Sequence, residues 1–441
     1  MAAVAILERT TFRTSRLLEF CSRKELVAQT GHEPDAWPLV VLKELVDNAL
    51  DACEEAGVAP EIGVEVEPGA ITVIDNGPGM PSETVTDILD FSSRVSSREA
   101  YVAPDRGAQG NALKTILAMP FVLDGAAGHV EICAHGLCHQ IEFTVDTLRQ
   151  APVIRHSHDE RDVKKGTSIT VAWPESAGSV LAEAERRFLQ IADDYTWLNP
   201  HLALTLTWFG ERSAVRATNP SWRKWGPSDP TCPHWYTPQH LERLIAAYLT
   251  HDVERGRERT VREFVSEFRG LSGSLKQKAV LDATGLQRAP LASLCDGHAI
   301  DRSVVAGLLD AMVAHARPVR PEALGTIGKD HLHGRLEAAG CEMASFQYKQ
   351  VKSTDPRLPW VIEAAFAWCP EQIGRRLITG VNWSPGILNP FRALGPYHQS
   401  LDTVLSQQRA DGDEPVVVLL HLACPRVEYT DRGKSAVVVA R

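Results

Sequence analysis

The feature that most constrains the fold is a short stretch, KELVDNALDA, at residues 43–52. On an α-helix, four of its oxygen-bearing side chains fall at positions i, i+3, i+4 and i+7 and share one stripe, while the apolar residues between them are left to pack. These four are Glu44, Asp47, Asn48 and Asp51. The stretch alone leaves two interpretations open, a catalytic face and the acidic stripe of an ordinary surface helix.

A second motif ends a predicted strand. Residues 71–74, ITVI, form a β-branched run that predicts a short strand, and Asp75 follows it at once. The turn DNGPGM at residues 75–80 contains two glycines. A buried carboxylate at this position can accept a hydrogen bond from the amino group of a purine.

A third motif, RGAQGNALKT at residues 106–115, opens a predicted helix. Glycines just before a helix let backbone N–H groups approach an anion, and the helix N-terminus adds about half a positive charge. The segment predicts a phosphate cradle. It is not a P-loop, because the G-K-[ST] ending is absent. A fourth piece, Gly166-Thr167-Ser168, precedes a predicted strand.

These motifs, in this order, resemble those of the Bergerat-fold (GHKL) ATPases, the superfamily of gyrase, heat-shock chaperone, histidine kinase and MutL. The sequences of the motifs most resemble those of the B subunit of the type IIB DNA topoisomerases, topoisomerase VI. The resemblance continues in FRTSRLLEF (residues 12–20, the strap), LNPH (198–201), the helix-two-turns-helix-like segment 260–286, the transducer-like opening 324–332 and VEYTDRGKSA (427–436).

The resemblance implies an α+β protein built around a Bergerat-fold sandwich. Mixed strands and helices without βαβ alternation favour the same class, and 441 residues predict about two to four domains. We expect an ATPase domain with its strap at residues 1–218, a linker and helical domain at 219–300, and an α/β transducer-like domain at 301–441.

The resemblance also assigns roles to residues. It implies ATP and Mg²⁺ as cofactors, Glu44 as general base, Asn48 as Mg²⁺ ligand, Asp75 as acceptor of the adenine amino group, and Lys434 as a catalytic lysine that reaches the γ-phosphate. We assign Asp47 and Asp51 to helix support. The implied nucleotide-binding residues are Asn48, Asp75, Gly79, Gly107, Gln109, Gly110, Asn111, Ala112, Leu113, Lys114 and Thr167.

Charge gives no overall sign of nucleic-acid binding, because 46 basic residues against 56 acidic ones leave a net charge of −10. DNA binding would have to be local. The basic segment, defined as residues 254–278, holds seven basic and four acidic residues. A phosphate-binding surface and a solvated helix face are both open for it. The aromatic WRKW at residues 222–225 favours interdomain packing over base stacking.

Other residue types indicate location and metal content. Nine scattered cysteines favour reduced thiols, and no apolar run reaches the roughly 18 to 20 residues of a membrane span. We therefore expect a cytoplasmic protein. The cluster CAHGLCH at residues 133–139 is interpreted as a β-hairpin in preference to a zinc site.

Two functions remain open. The first is the ATPase subunit of a type IIB topoisomerase-like machine that dimerises on ATP binding and captures DNA with a separate cleaving A-type subunit. The second is a free-standing ATP-gated clamp in the MutL or MORC manner. Ala112 replaces a further glycine of the topoisomerase pattern, and the sequence ends seven residues after Lys434, which weakens the expectation of coupling to a cleaving subunit.

Overall fold

A computed structural model describes most of the chain and all of the elements discussed below. It covers residues 20–91, 101–106, 112–146, 148–149, 151–161, 163, 165–296, 299–355, 357–394, 399–429 and 436–438.

An eight-stranded mixed sheet organises the N-terminal part. Its strands are β1 (Glu61–Glu67), β2 (Ala70–Ile74), β3 (Gly128–Ala134), β4 (Leu137–Asp146), β5 (Ala151–Glu160), β6 (Thr167–Ala172), β7 (Ala203–Trp208) and β8 (Glu211–Val215). Their spatial order is β5-β4-β3-β6-β2-β1-β7-β8. Neighbours run antiparallel except β1 and β7, which are parallel.

Helices cover one face of this sheet. They are α1 (Arg23–Thr30), α2 (Trp37–Glu55), α3 (Ser82–Ile88), α4 (Ala112–Asp124), α5 (Gly178–Glu183) and α6 (Glu185–Leu198). Alternate residues of β1, β2, β6 and β7 are buried, as expected for strands with one covered face. The apolar side of α2 packs into the same core through Leu45, Ala49 and Leu50. The expected α+β class is confirmed.

The rest of the chain is helical first and α/β afterwards. The helical part contains α7 (Pro238–Glu254), α8 (Val261–Ser266), α9 (Ser274–Thr284), the short strands β9 (Cys295–Asp296) and β10 (Ala299–Ile300), and α10 (Arg302–His315). The α/β part contains α11 (Lys329–Ala338), β11 (Gln347–Lys352), β12 (Val361–Trp368), β13 (Arg376–Val381), β14 (Ser384–Pro385), α12 (Leu401–Gln407), β15 (Val416–Ala423), β16 (Glu428–Tyr429) and β17 (Val437–Val438).

The second sheet has the order β11-β12-β15-β13-β14. One hydrophobic core joins the helical part to this sheet and also takes in Trp197 and Leu198 at the end of α6. The predicted boundary at residue 300 therefore lies within continuous packing, and the division stays a prediction. Among the described residues, no helix has the length and hydrophobicity needed to cross a membrane.

The expected packing role of residues 222–225 is confirmed. The Trp222 ring lies 6.0 Å from that of Trp383, and the Trp225 ring lies 4.8 Å edge-on to Trp235. Trp222 thus joins the linker to the C-terminal part, whereas Trp225 packs against a residue of its own predicted domain.

A buried charge cluster joins the parts of the molecule, with Arg106 at its centre. This guanidinium donates to Asp51 (2.8 Å), to both carboxylate oxygens of Glu54 (2.6 and 2.7 Å) and to Asn199 (2.6 Å). Lys224 of the linker adds an ion pair to Glu54 at 2.8 Å. The Arg106 side chain is fully inaccessible to solvent, so its charge depends on these partners.

Electrostatics in the cluster favour the ionised forms. Burial opposes the charge of Arg106, but Glu54 and then Asp51 outweigh it and raise the pKa of the guanidinium. Burial likewise opposes ionisation of Glu54, yet Arg106 and Lys224 hold its pKa well below the ordinary value. Burial lowers the pKa of His201, so this ring contacts Glu54 as a neutral imidazole, at 2.9 Å from Nε2.

We expect Arg106→Met to lower the free energy of unfolding by about 3–5 kcal/mol, because it leaves buried carboxylates without their counter-charge. Arg155→Met is the matched control. Arg155 pairs with Glu142 at 3.0 Å, but its side chain is 79% exposed, and loss of such a pair costs at most about 1 kcal/mol. Urea unfolding followed by circular dichroism measures both. Equal effects of the two substitutions would show that the buried cluster contributes no more to the free energy of unfolding than an exposed ion pair does.

Candidate nucleotide-binding site

Helix α2 divides its four oxygen-bearing side chains into two pairs. Asp47 and Asp51 are each 3% exposed, whereas Glu44 is half-buried and Asn48 is exposed. The two buried carboxylates are engaged in internal contacts, in agreement with their assignment to helix support. Glu44 and Asn48 stay accessible one helical turn apart, where a ligand can meet them.

Asp47 connects α2 to the second sheet. Its Oδ2 accepts from Lys43 (2.9 Å) and from Ser384 Oγ in β14 (2.7 Å), and Lys43 also contacts Ser384. The Tyr195 hydroxyl of α6 donates to Asp47 Oδ1 at 2.8 Å. Burial, and next the charge of Asp47, raise the pKa of Tyr195 well above its ordinary value, so the phenol remains a donor. Glu44 adds to this shift.

Asp75 follows the end of β2 and is 9% exposed. Its Oδ1 accepts from the backbone N–H groups of Gly77 (2.7 Å) and Thr167 (3.3 Å). Burial raises the pKa of Asp75, while these hydrogen bonds act in the opposite direction. Both backbone bonds end on Oδ1 and fix the plane of the carboxylate against the start of β6.

The turn after Asp75 is braced from two sides. The side chain of Asn76 accepts from the Glu61 N–H (2.9 Å) and donates to the Ala59 carbonyl (3.0 Å). Thr167 Oγ1 accepts from the Met80 N–H at 3.1 Å. Asn76 had no predicted role. The Asn-Gly dipeptide after the predicted strand was the available signal, because this residue type makes local backbone contacts in turns.

Two glycines, Gly79 in this turn and Gly166 before β6, allow close approach of the backbone. Gly79 has φ 89° and a Cβ there would lie 2.9 Å from His135 Nε2. Gly166 has φ 73°, and a Cβ there would lie 1.7 Å from the Asp75 carbonyl oxygen. A side chain at Gly166 therefore cannot be accommodated without moving the backbone that carries Asp75.

The predicted phosphate cradle lies mostly outside the described residues, and so do four of its implied ligands and the catalytic lysine: Gly107, Gln109, Gly110, Asn111 and Lys434. The strap near Phe12 is outside as well. At the start of α4, Leu113 is partly exposed, as is Ala112. Their roles stay predictions.

Lys114 is placed differently from a free phosphate ligand. It is 1% exposed and donates to the Asp90 carbonyl at 2.6 Å, and burial lowers its pKa. Phosphate binding by this ammonium would require the contact with Asp90 to open. Its role in nucleotide binding likewise stays a prediction.

The CAHGLCH segment forms the expected hairpin between β3 and β4, with His135 (φ 52°) and Gly136 (φ 78°) in the turn. Cys133 and Cys138 face each other across it as a disulfide, so the expectation of reduced thiols fails for this pair. Alternation along β4 puts Cys138 and His139 on opposite faces. The four residues of the segment therefore do not converge on one metal.

We expect Gly166→Ala to disrupt the site, and Gly57→Ala is its matched control. Both glycines have positive φ, 73° and 66°, but a Cβ at Gly57 meets nothing within 4 Å. The control carries only the conformational cost, about 1 kcal/mol, whereas Gly166→Ala adds about 1 to 3 kcal/mol of overpacking. Thermal unfolding and ATP titration measure the two effects. Equal ATP affinity in both variants would contradict the packing around Asp75.

Known proteins resemble the chain at two levels. Residues 36–177 match the family described as histidine kinase-, DNA gyrase B- and HSP90-like ATPase. The B subunit of type 2 DNA topoisomerase 6 from Archaeoglobus fulgidus is 25% identical over 90% of this chain and 66% of its own length. The Methanosarcina mazei protein of the same name is 26% identical over 90% of this chain and 64% of its own length.

A third relative is more similar over a shorter stretch. The Natronomonas pharaonis protein of that name is 35% identical over 29% of this chain and 17% of its own length. The chain thus spans at most about two thirds of the length of these relatives. The resemblance inferred from the sequence is confirmed: the chain contains an ATPase domain of the histidine kinase-, DNA gyrase B- and HSP90-like family and is similar over most of its length to the B subunit of topoisomerase VI.

Proposed function

We propose that the chain is a Mg²⁺-dependent ATPase that dimerises on ATP binding and serves as the ATPase subunit of a type IIB topoisomerase-like DNA machine. The observation that carries the proposal is the division of α2. Glu44 and Asn48 remain accessible while the other two carboxylates are buried in internal contacts. The similarity to the B subunits of topoisomerase VI supports the choice of machine.

Glu44 acts as the general base. A half-buried carboxylate on a rigid helix can accept a proton from a water molecule aligned with the γ-phosphate, and such a base accounts for about 10² to 10⁴ of the rate. The donor set fits Mg²⁺, because Asn48 offers an exposed amide oxygen and this ion takes few protein ligands besides phosphate oxygens and water. Bound Mg²⁺ would neutralise charge on the phosphates.

Asp75 recognises the base of the nucleotide. Its buried carboxylate is oriented through Oδ1, so the adenine amino group is met by an acceptor that needs no reorganisation. Thr167 lies beside it and assists through water. Close packing of Gly79 against His135 keeps the turn free of side-chain bulk where the base would lie.

The second sheet senses the state of the ATPase domain. Ser384 donates to Asp47, which lies three residues after Glu44 on the same helix. A shift of β14 would therefore act directly on the helix that carries the base. Lys434, contributed by the same part of the chain, adds a positive charge at the γ-phosphate, so ATP binding and hydrolysis bias a two-state arrangement of the C-terminal part.

We expect Glu44→Ala to bind ATP with near-normal affinity and to hydrolyse it about 10² to 10⁴ times more slowly. Because the nucleotide persists, the variant should form a lasting dimer with ATP, while the wild type returns to monomer after turnover. Glu65→Ala, which removes an exposed carboxylate in β1, is the control and should behave as wild type. Calorimetry, phosphate release and light scattering provide the three readouts.

Two outcomes would contradict this assignment. Near-normal turnover by Glu44→Ala would remove Glu44 as the base. An unchanged molar mass of the wild type with non-hydrolysable ATP analogues would instead contradict ATP-gated dimerisation, and it would leave the assignment of Glu44 intact.

The basic segment divides into arginines used in packing and basic residues open to a ligand. Arg259 is 6% exposed, pairs with Asp252 at 3.0 Å and also contacts Glu267. The guanidinium of Arg269 lies 4.8 Å above the ring of Trp225. Arg259 is therefore a poor candidate for phosphate contacts, whereas Arg269 is exposed although it stacks on Trp225. The exposed residues that we propose for DNA binding are Arg262 of α8 and Lys276 and Lys278 of α9.

We expect the triple substitution Arg262→Glu, Lys276→Glu and Lys278→Glu to weaken DNA binding. Each lost phosphate contact should flatten the plot of log affinity against log salt by about 0.9. The control changes the same charge at Arg149, Arg155 and Arg212, which are surface residues of the first sheet and its loops. Fluorescence anisotropy at several salt concentrations measures both. If the slope of log affinity against log salt is the same in the two triple variants, the basic segment is a solvated helix face that makes no phosphate contacts.

A further inference from the structure

Three side chains with metal-binding chemistry meet on the hairpin of β3 and β4. Glu131 and Cys133 of β3 and Cys138 of β4 place one oxygen and two sulfurs within 4.8 Å of one another. They lie on the face turned away from Val130 and Ile132, which belong to the first core. Among the residues that the structure describes, no other three His, Cys, Asp or Glu side chains come together in this way.

The strand register brings these side chains together. Cys133 is paired directly with Cys138, and their Cα atoms are 4.0 Å apart. Glu131 precedes Cys133 by two residues and therefore shares its face. Sγ of Cys133 lies 3.4 Å from Oε1 of Glu131. Because backbone pairing sets these positions, the two sulfurs stay neighbours when the bond between them is broken.

The cysteine pair has two chemical states. Cys133 and Cys138 are joined as a disulfide, whereas the other seven cysteines of the chain are free thiols. Free thiols are typical of proteins in reducing surroundings. There, two small thiols of the glutathione class can reduce the disulfide by exchange. The two electrons come from the small thiols, which leave joined as their own disulfide, and both cysteines become thiols.

We propose that the reduced pair, together with Glu131, binds a divalent transition-metal ion of the Zn²⁺ class. Thiolate and carboxylate are both ligands of such ions. At the usual bond lengths, two sulfurs on one tetrahedral Zn²⁺ are about 3.8 Å apart, and a sulfur and an oxygen about 3.6 Å. The distance of 3.4 Å between Cys133 and Glu131 is already close to this geometry. Water can complete the shell.

Protons and electrons balance in both directions. Metal binding replaces two S–H bonds by two bonds from sulfur to the ion and releases two protons to solvent. Oxidation by a small disulfide of the glutathione class forms the bond between Cys133 and Cys138 and frees the ion. The two electrons pass to the small disulfide, which leaves as two thiolates. Metal binding and disulfide formation therefore exclude each other.

Glu131 connects the buried sulfurs to solvent. Cys133 is 5% exposed and Cys138 is fully buried, whereas the Glu131 side chain is 30% exposed and pairs with Arg161 at 3.0 Å. The Arg161 side chain is itself 46% exposed, and exposed ion pairs of this kind are weak. A divalent ion brings twice the charge to the same oxygen and can displace the guanidinium.

The proposed metal site closes a turn that contacts the candidate nucleotide site. The ring of His135 lies against Gly79, and the backbone of Gly136 is hydrogen-bonded to Arg161 and Val163. An ion or a disulfide at the base of this turn restricts its motion, whereas the metal-free dithiol leaves it free to open. The metal site does not rest on the proposed ATPase function, because its test uses the metal alone.

The test is a titration of the full chain with ZnCl₂, after reduction by a phosphine that becomes a phosphine oxide and offers no thiol to the ion. We expect one ion per chain, two protons released per ion in calorimetry with several buffers, and the thiolate charge-transfer absorption of bound Co²⁺. The oxidised protein should bind no ion. Zn²⁺ should raise the melting temperature of the reduced protein alone.

Substitutions identify the ligands. Cys133→Ser and Cys138→Ser should each abolish the Co²⁺ signal at one ion per chain. Loss of even an outer partner of a metal ligand costs about 10-fold to 100-fold in affinity, so Glu131→Ala should weaken binding at least about tenfold. Glu142→Ala is the matched control, because Glu142 pairs with Arg155 at 3.0 Å and its side chain is 28% exposed. A second control, Cys21→Ser, removes a free thiol. Both should bind as wild type.

Four outcomes would overturn the proposal. They are a reduced wild type that binds no ion, an oxidised protein that binds as tightly as the reduced one, a cysteine variant of the pair that keeps the Co²⁺ signal, and equal effects of Glu131→Ala and Glu142→Ala. Circular dichroism of each metal-free variant shows that it is folded, so that a lost signal reports a lost ligand.

Discussion

The buried ion cluster around Arg106 is the interaction on which the arrangement of the parts depends. A guanidinium without solvent access must be surrounded by acceptors, and these come from α2 and from Asn199 at the end of α6, while Lys224 of the linker pairs with Glu54. Asn199, which accepts from Arg106, also donates to the Trp383 carbonyl in the second sheet at 2.9 Å. None of these segments can move alone without exposing an unpaired charge. Since Arg106 directly precedes the predicted phosphate cradle, the cluster anchors one end of that cradle.

Helix α2, which carries the proposed base, also joins distant parts of the chain. Its apolar face belongs to the first core, while its polar residues connect to three other places: the candidate nucleotide site, the ion cluster and β14. The hydrogen bond between Ser384 and Asp47 joins residues 337 positions apart. The same helix therefore carries the proposed base and the contact through which the C-terminal part can influence it. A change at the candidate nucleotide site can therefore reach the C-terminal part through α2 itself, and no further segment is needed to transmit it.

The sequence predicted local features well and long-range partners poorly. The β-branched run and the glycine-containing turn after it predicted the position of Asp75 after β2, and helical spacing correctly placed four polar residues on α2. Spacing could not separate Glu44 and Asn48 from the other two, because the partners that bury the latter pair come from distant segments. Arg259 was grouped with a basic surface because charge patterns carry no information on burial; its partner Asp252 lies across a turn. Lys114 entered the implied nucleotide-binding residues through the family resemblance, which likewise carries no information on its burial.

The parallel pairing of β1 with β7 has a consequence for biosynthesis. Glu61 pairs with Ala203, so about 140 residues must be translated after β1 before its second neighbour exists, which takes about 7 to 28 s at 5 to 20 residues per second. During this interval an inner strand with one apolar face presents an unpaired edge to its surroundings, a state in which nascent chains associate with one another or with chaperones. The order of strands thus makes completion of the sheet a late event in the synthesis of the chain.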